Sequence, residues 1–285
     1  MNNRISLIYL LGAGRSGTTL LAIVLNNHQD IKAIGEMHQF VEHLKDHKQC
    51  SCGELLQSCP FWNDIINDLG WDPNELANIL EDIERKEEHK NILKLLLSKK
   101  ADEEYLKTQT KIFGAIHKRA PSMTLLDSSK YIARYLLLKR SDKLDLKGVY
   151  VIRDVRGVIN SFSKEVQTKR GPLSTIFYYM LVNFFGQIVS WLDKDIIKVK
   201  YEDLIEDPMN ILNQIYTHTI GAEKKVNTLP GNYEMPHIIG GNRMKVQKNI
   251  KINKDFEWKS NISRRKQILY YILASPIMII NNYRS

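Results

Sequence analysis

An apolar run, a glycine-rich loop and a helical run follow one another without a break in "ISLIYLLGAGRSGTTLLAIVLNNH", and no other feature narrows the fold so far. Arg4 to Leu11 is β-rich and apolar, which predicts a buried strand, and "TTLLAIVLNNH" has helical spacing with asparagines near its end. Between them Gly12, Gly14 and Gly17 allow a tight turn whose amides point inward, and the following helix adds its positive N-terminal end. The outline is a phosphate loop, but Thr18 stands where a nucleoside-triphosphatase carries the lysine that reaches the β- and γ-phosphates. Arg15 supplies the cation instead, and the hydroxyls of Ser16, Thr18 and Thr19 remain. A loop that merely turns the chain is the plain alternative.

The pattern recurs. Val149 to Ile152 predicts a buried strand with Asp154 opening a helix, and Met123 to Lys130 predicts a strand with a polar end. "DIIKVKYEDLIEDPMNILNQIY" predicts strand, loop and helix, with Asp207 as N-cap and Pro208 in the first turn. A further strand is expected just before Glu36. Strands separated by helices imply an α/β fold of P-loop type, a central parallel sheet flanked by helices, with ligands at the carboxyl ends of the strands. From Glu42 to Arg119 the β-branched runs vanish, and "WDPNELANILEDIERKEEHKNILKLLL", with Asp72 as cap and Pro73 at the first position, predicts an inserted helical layer (42–119). Such a layer can shape a pocket or simply bury core. The 285 residues suit one α/β domain.

A net charge of +9 implies an anionic ligand or partner. The lysines are dispersed, with no block of like charge to form a nucleic-acid arm, so nucleic acid is not expected. The apolar N-terminal run is too short to span a membrane and precedes no cleavage site. Ile268 to Ile280, 13 residues with one proline, suits a core or interfacial helix. A cytoplasmic location is the expectation.

"GAGRSGTTLL" after a first strand resembles the 5′-phosphosulfate loop of the PAPS-dependent sulfotransferase superfamily, in which PAPS denotes 3′-phosphoadenosine 5′-phosphosulfate. The resemblance implies donor binding without a metal, with Gly14, Arg15, Ser16, Gly17, Thr18 and Thr19 around the phosphosulfate. It also implies a second site for the 3′-phosphate, built from an arginine at a strand end and a serine eight residues on; Arg153 and Ser161 in "VIRDVRGVINS" fit that spacing. A guanidinium and a neutral hydroxyl are suited to a phosphate dianion. Asp154 is expected to orient neighbours or cap its helix, and Arg156 could assist at the anion site, with a solvated role the favoured expectation. Tyr201 in "KVKYEDLIEDP" corresponds to a tyrosine that can lie near the nucleotide, and is otherwise a half-buried strand aromatic. "DSSKYIARYLLL" resembles a segment of bacterial members and would turn Lys130 toward the sulfate. "HIIGGNRMK", containing Asn242 and Arg243 and followed by Trp258, resembles a loop that closes over the donor, so residues 237–285 would form a loop and helices over that site. "RDVR" lacks the common proline after the aspartate, and the closing loop lacks the arginine-rich form of the cytosolic arylamine and steroid enzymes. The likeness is to the bacterial, carbohydrate and tyrosylprotein branches.

The reaction so implied is sulfuryl transfer from PAPS to an acceptor hydroxyl on a carbohydrate, natural product or lipid-linked molecule, releasing adenosine 3′,5′-bisphosphate (PAP). It needs a base for the acceptor proton and cations for the developing charge. Glu36, 21 residues after Arg15 in "AIGEMHQF", is the favoured base and His38 the second candidate, with Arg15 and Lys130 stabilising the transferring group. The apolar C-terminal segment is compatible with peripheral membrane association. Two rivals stand beside this: a P-loop kinase using ATP and Mg²⁺, for which Asp127 is the metal carboxylate, and a non-catalytic nucleotide-binding protein.

"HKQCSCGELLQSCPFW" holds Cys50, Cys52 and Cys59, with His47 three residues before the first. A zinc site, a disulfide from Cys59 and reduced thiols are all open readings, and no catalytic role is required of them.

Overall fold

The strands of the main sheet are short and buried over most of their length, and helices lie between them in the chain. The computed structural model describes residues 4–164, 170–241 and 249–284. In chain order the elements are β1 (Ile5–Leu11), α1 (Thr18–Asn26), β2 (Ile31–Gly35), α2 (Phe40–Lys45), α3 (Asn63–Leu69), α4 (Pro73–Glu87), α5 (Ile92–Leu97) and α6 (Glu103–Arg119). Then come β3 (Thr124–Lys130), α7 (Ile132–Leu138), β4 (Leu144–Ile152), α8 (Val155–Ser163), α9 (Pro172–Leu192), β5 (Ile196–Lys200), α10 (Tyr201–Glu206) and α11 (Pro208–Thr219). The C-terminal part adds β6 (Tyr233–Glu234), β7 (Asn249–Ile250), α12 (Trp258–Asn261), α13 (Arg264–Leu273) and α14 (Ser275–Ile280). Five strands form one sheet in the order β2-β3-β1-β4-β5, and β6 pairs with β7 separately. The α/β expectation holds.

The chain forms two compact units. One comprises Met1–Leu11, Thr19–Gly148 and Pro230–Ile250. In it β3 lies between β1 and β2 and is parallel to both, with Leu7 opposite Leu125 and Ala33 opposite Leu126. Leu7, Ile8, Leu10, Leu125 and Leu126 are buried, as continuous apolar strands covered on both faces should be. The chain from β2 to β3 runs through α2 to α6 with no strand among the described residues, so the inserted layer is helical as expected. Asp102 caps α6 by accepting from the Tyr105 amide at 3.1 Å.

The other unit comprises Gly12–Thr18, Val149–Leu229 and Lys251–Ser285. Val149 to Ile152 are wholly buried. Asp154 caps α8 through the Arg156 amide, and Asp207 caps α11 through the Asn210 amide with Pro208 in the first turn, both as expected. Helix α9 is 21 residues long and apolar enough to cross a membrane by length and composition, and half of that window is buried within the protein. Ile268 to Ile280 is split at Ala274 into α13 and α14, where Pro276 enters the first turn of the second helix.

Candidate active site

The glycine loop, Arg153 and Tyr201 form one cluster. Gly17 has φ +93°, and a Cβ there would sit 2.3 Å from a ring carbon of Tyr201, so only glycine lets the loop lie on that ring. Gly12 is held as tightly, since a Cβ would meet the Val151 carbonyl oxygen at 2.4 Å. Arg15 takes a left-handed backbone (φ 68°) and its guanidinium lies over the Phe162 ring at 5.5 Å. The Gly14 amide donates to the Tyr178 hydroxyl at 2.8 Å, a scaffold contact that the sequence did not reveal. Ser16 is fully buried and its Oγ has no hydrogen-bond partner among the described residues. Burying an unsatisfied hydroxyl costs about 1–3 kcal/mol, so a ligand oxygen is the fitting partner for a donor placed in this cradle. Thr18 and Thr19 are buried in the first turn of α1, where helical amides lack intrahelical acceptors.

Arg153 follows the carboxyl end of β4 and is nearly buried. Its Nη1 donates to the Arg15 carbonyl at 3.2 Å, its Nη2 to Oδ2 of Asp255 at 2.9 Å, and the guanidinium lies 4.2 Å from the centre of the Tyr201 ring. A Cβ on Gly157 would fall 2.8 Å from Nε of Arg153, which puts the Gly157 face of α8 against the guanidinium. Ser161 lies four residues further, on that same face one turn on, and is half-buried. Tyr201 is the first residue of α10 and is buried, not a half-buried strand residue, because β5 ends at Lys200. Burial raises its phenol pKa, with Arg153 opposing. Arg156 corrects the solvated expectation: it is buried, pairs with Asp154 at 2.7 Å, and lies over the rings of Trp258 and Tyr271. Asn242 and Arg243 lie outside the described residues.

A second cluster stands in the other unit, at the ends of β2 and β3. Glu36 is buried, with Oε1 paired to Nζ of Lys130 and Oε2 accepting from Nε2 of Gln39 at 3.2 Å. The Glu36 amide donates to the Ile239 carbonyl at 2.8 Å, and Lys130 reaches the carboxylate from a left-handed backbone (φ 71°). Nε2 of Gln39 is also 3.2 Å from Nε2 of His38, so one amide joins the two base candidates. The His38 ring lies against Tyr131, its amide donates to Oγ of Ser129 at 3.1 Å, and its Nδ1 is buried with no hydrogen-bond partner among the described residues. Burial, then Lys130 and Arg134, hold its pKa well below the ordinary 6.5. Gln39 and Ser129 were not singled out in the sequence, although both sit within three residues of residues that were.

Asp127, the metal carboxylate of the kinase reading, is fully buried and committed on both oxygens. Oδ1 accepts from the Ser129 amide at 2.9 Å and from its hydroxyl; Oδ2 accepts from Nε of Arg134 at 3.0 Å. A carboxylate so enclosed cannot also reach a nucleotide-bound cation.

Residues 8–221 match the model of the sulfotransferase family. The chain belongs to that family. No curated protein sequence matches this sulfotransferase significantly. Among solved structures its fold is similar to the sulfotransferase domain from the curacin biosynthetic pathway, with a TM-score of 0.58, 18% identity, and 98% of each chain covered. It is also similar to the sulfotransferase domain of the Synechococcus PCC 7002 olefin synthase, with a TM-score of 0.54, 17% identity, and 97% of this chain and 95% of that one covered. At these identities the two comparisons bear on the fold, which is the α/β architecture expected from the strand-loop-helix units.

Proposed function

We propose that this sulfotransferase moves a sulfuryl group from PAPS to the hydroxyl of a small-molecule acceptor and releases PAP. The observation that carries the donor assignment is the Gly17–Tyr201–Arg153 stack, in which one aromatic ring touches both the glycine loop and the arginine at the end of β4. PAPS carries two anionic groups on one ribose, so its recognition calls for two neighbouring anion sites. The loop with its orphaned Ser16 hydroxyl suits the 5′-phosphosulfate, and Arg153 with Ser161 suits the 3′-phosphate.

In this reading Glu36 takes the acceptor proton, and Lys130 and Arg15 offset the charge on the sulfuryl oxygens and the departing phosphate. Glu36 is preferred to His38 because its carboxylate is paired with the Lys130 ammonium, whereas burial weakens the imidazole as a base. The acceptor class is a hydroxyl on a carbohydrate, natural product or lipid-linked molecule, and the reaction is proposed to use no catalytic metal.

Calorimetric titration with PAP tests the donor half. Saturable binding of PAP in the presence of a chelator, with ATP·Mg²⁺ binding far more weakly, is the expected result. A protein that binds ATP·Mg²⁺ and ignores PAP overturns the proposal.

A further inference from the structure

The sequence left the three cysteines with several readings, and the structure adds a residue that sequence proximity could not suggest. Cys50, Cys52, Cys59 and His237 place their Sγ atoms and an imidazole nitrogen within 4.8 Å of one another. Sγ of Cys52 is 3.7 Å from Sγ of Cys59, and Nδ1 of His237 is 3.3 Å from Sγ of Cys59 and 3.9 Å from Sγ of Cys50. A tetrahedral zinc ion with Zn–S bonds of about 2.3 Å and Zn–N bonds of about 2.0 Å sets its ligands roughly 3.5–3.8 Å apart. Those three separations are close to the spacing of a coordination shell, and all four ligand atoms lie within 4.8 Å of one another. His47 is not among them; its Nδ1 is 3.1 Å from Nε2 of Gln57 instead.

The backbone around the cluster is fixed independently of any ion. The Cys50 amide donates to the Glu54 carbonyl and the Gly53 amide to the Cys50 carbonyl, closing the Cys-Ser-Cys-Gly turn, with Gly53 at φ +92°. Oγ of Ser51 donates to the Pro236 carbonyl and accepts from the Ile238 amide, and the Ser51 amide donates to the Ile238 carbonyl. Trp62 Nε1 donates to the His237 carbonyl at 3.1 Å. The segment bearing His237 is thus stapled to the cysteine turn from both sides, which is what pre-forming a site requires.

We propose that Cys50, Cys52, Cys59 and His237 form a structural zinc site. Three thiolates and one imidazole complete a tetrahedron and leave no open position, the mark of a structural and not a catalytic ion. The ion ties the cysteine turn to residues 236–239. Two residues after His237 the Ile239 carbonyl accepts the Glu36 amide, so the metal steadies the backbone that carries Glu36. On binding, each thiol gives up its proton to solvent as its Zn–S bond forms, and no redox change is involved.

The test is elemental analysis of the full chain purified under reducing conditions without chelator, followed by replacement with Co²⁺. One zinc per chain and the visible ligand-field bands of tetrahedral, thiolate-bound Co²⁺ are expected. His237→Ala should weaken metal retention at least tenfold against a chromophoric chelator, and His47→Ala should leave it unchanged. A metal-free chain that also fails to bind added Zn²⁺ or Co²⁺ overturns the proposal, as does equal retention by His237→Ala or loss by His47→Ala. Finding Cys52 and Cys59 joined as a disulfide in that same preparation also overturns it. The metal content of the unsubstituted chain decides the matter even where a cysteine variant fails to fold.

Discussion

Nη2 of Arg153 is tied to Asp255 at 2.9 Å, so a carboxylate holds the guanidinium that is proposed to receive a phosphate. The arrangement is costly for Asp255, whose Oδ1 is buried with no hydrogen-bond partner among the described residues. An anionic ligand on Arg153 must displace or face that carboxylate. Asp255→Asn is therefore expected to tighten PAP binding by about tenfold, which corresponds to ~1.4 kcal/mol. Arg153→Ala should weaken it by about 1.5–3 kcal/mol, as loss of charge-assisted hydrogen bonds does. Titration calorimetry of the two variants checks both signs, and unchanged affinity in each would remove Arg153 from the donor site.

The Glu36–Lys130 pair is expected to separate chemistry from donor binding. Glu36→Gln removes a base while keeping the size of the side chain, and should lower kcat by about 10²–10⁴ with PAP affinity preserved. His38→Gln should leave kcat within a few-fold if Glu36 carries the proton. The reverse pattern, a large loss in His38→Gln and little in Glu36→Gln, would exchange their roles.

Gly17→Ala probes the loop against Tyr201. The added carbon would lie 2.3 Å from the ring at a φ of +93°, so either the loop or the ring must move. Tyr201 also stacks on Arg153, and the displacement should reach both proposed anion sites. The expected outcome is a loss of PAP binding well beyond tenfold with circular dichroism unchanged. In the double variant Gly17→Ala with Tyr201→Ala, part of the affinity should return.

These contacts show which parts of the molecule were legible in advance. The unit from β1 through the loop to α1 was readable because a continuous apolar run, closely spaced glycines and a helical run each have a local physical cause. The caps Asp154 and Asp207 were readable for the same reason. Tyr201, whose plain alternative was a half-buried strand aromatic, opens a helix instead, since element ends rest on hydrogen bonds that sequence does not display. Arg156 was misread because the rings that cover it, Trp258 and Tyr271, come over 100 residues later. His237 follows Cys59 by 178 residues, so its membership of the cysteine cluster has no sequence signal beyond the histidine itself. Asp127 was visible as a strand-end carboxylate, but its enclosure by Ser129 and Arg134 was not.

Burial of His38 makes stability depend on pH. Its folded pKa lies well below the ordinary 6.5 because burial and the positive charges of Lys130 and Arg134 disfavour the imidazolium. The unfolded chain then binds more protons between the two pKa values, so stability rises with pH across that interval. This contribution is fully present above about 6.5 and is lost as pH falls below it. Tm should therefore drop between pH 7 and pH 5, and His38→Gln should flatten the drop. His89, which also stacks on Tyr131 and whose pKa burial likewise lowers, is expected to leave a residual slope. Identical pH profiles for the variant and the unsubstituted chain would show that His38 is not buried as described.

Beneath the Glu36 cluster, Arg134 binds together three other buried groups. Its Nε donates to Asp127 at 3.0 Å, and its Nη1 to Glu87 at 2.6 Å and to the Tyr105 hydroxyl at 3.2 Å; that hydroxyl in turn donates to Glu87 at 2.7 Å. Burial raises the pKa of Glu87 despite the neighbouring guanidinium, so the site disfavours an unpaired charge. Removing the cation leaves two carboxylates without their partner, and Arg134→Met is expected to destabilise the fold by about 3–5 kcal/mol. Glu87→Gln keeps an oxygen for Arg134 and Tyr105 and should cost less. Because Asp127 also holds the Ser129 amide, whose hydroxyl accepts from His38, the Arg134 variant should lose turnover at temperatures where most of the chain is still folded. Urea unfolding of both variants checks the ranking, and a loss under about 1 kcal/mol in Arg134→Met would show that the network relaxes without cost.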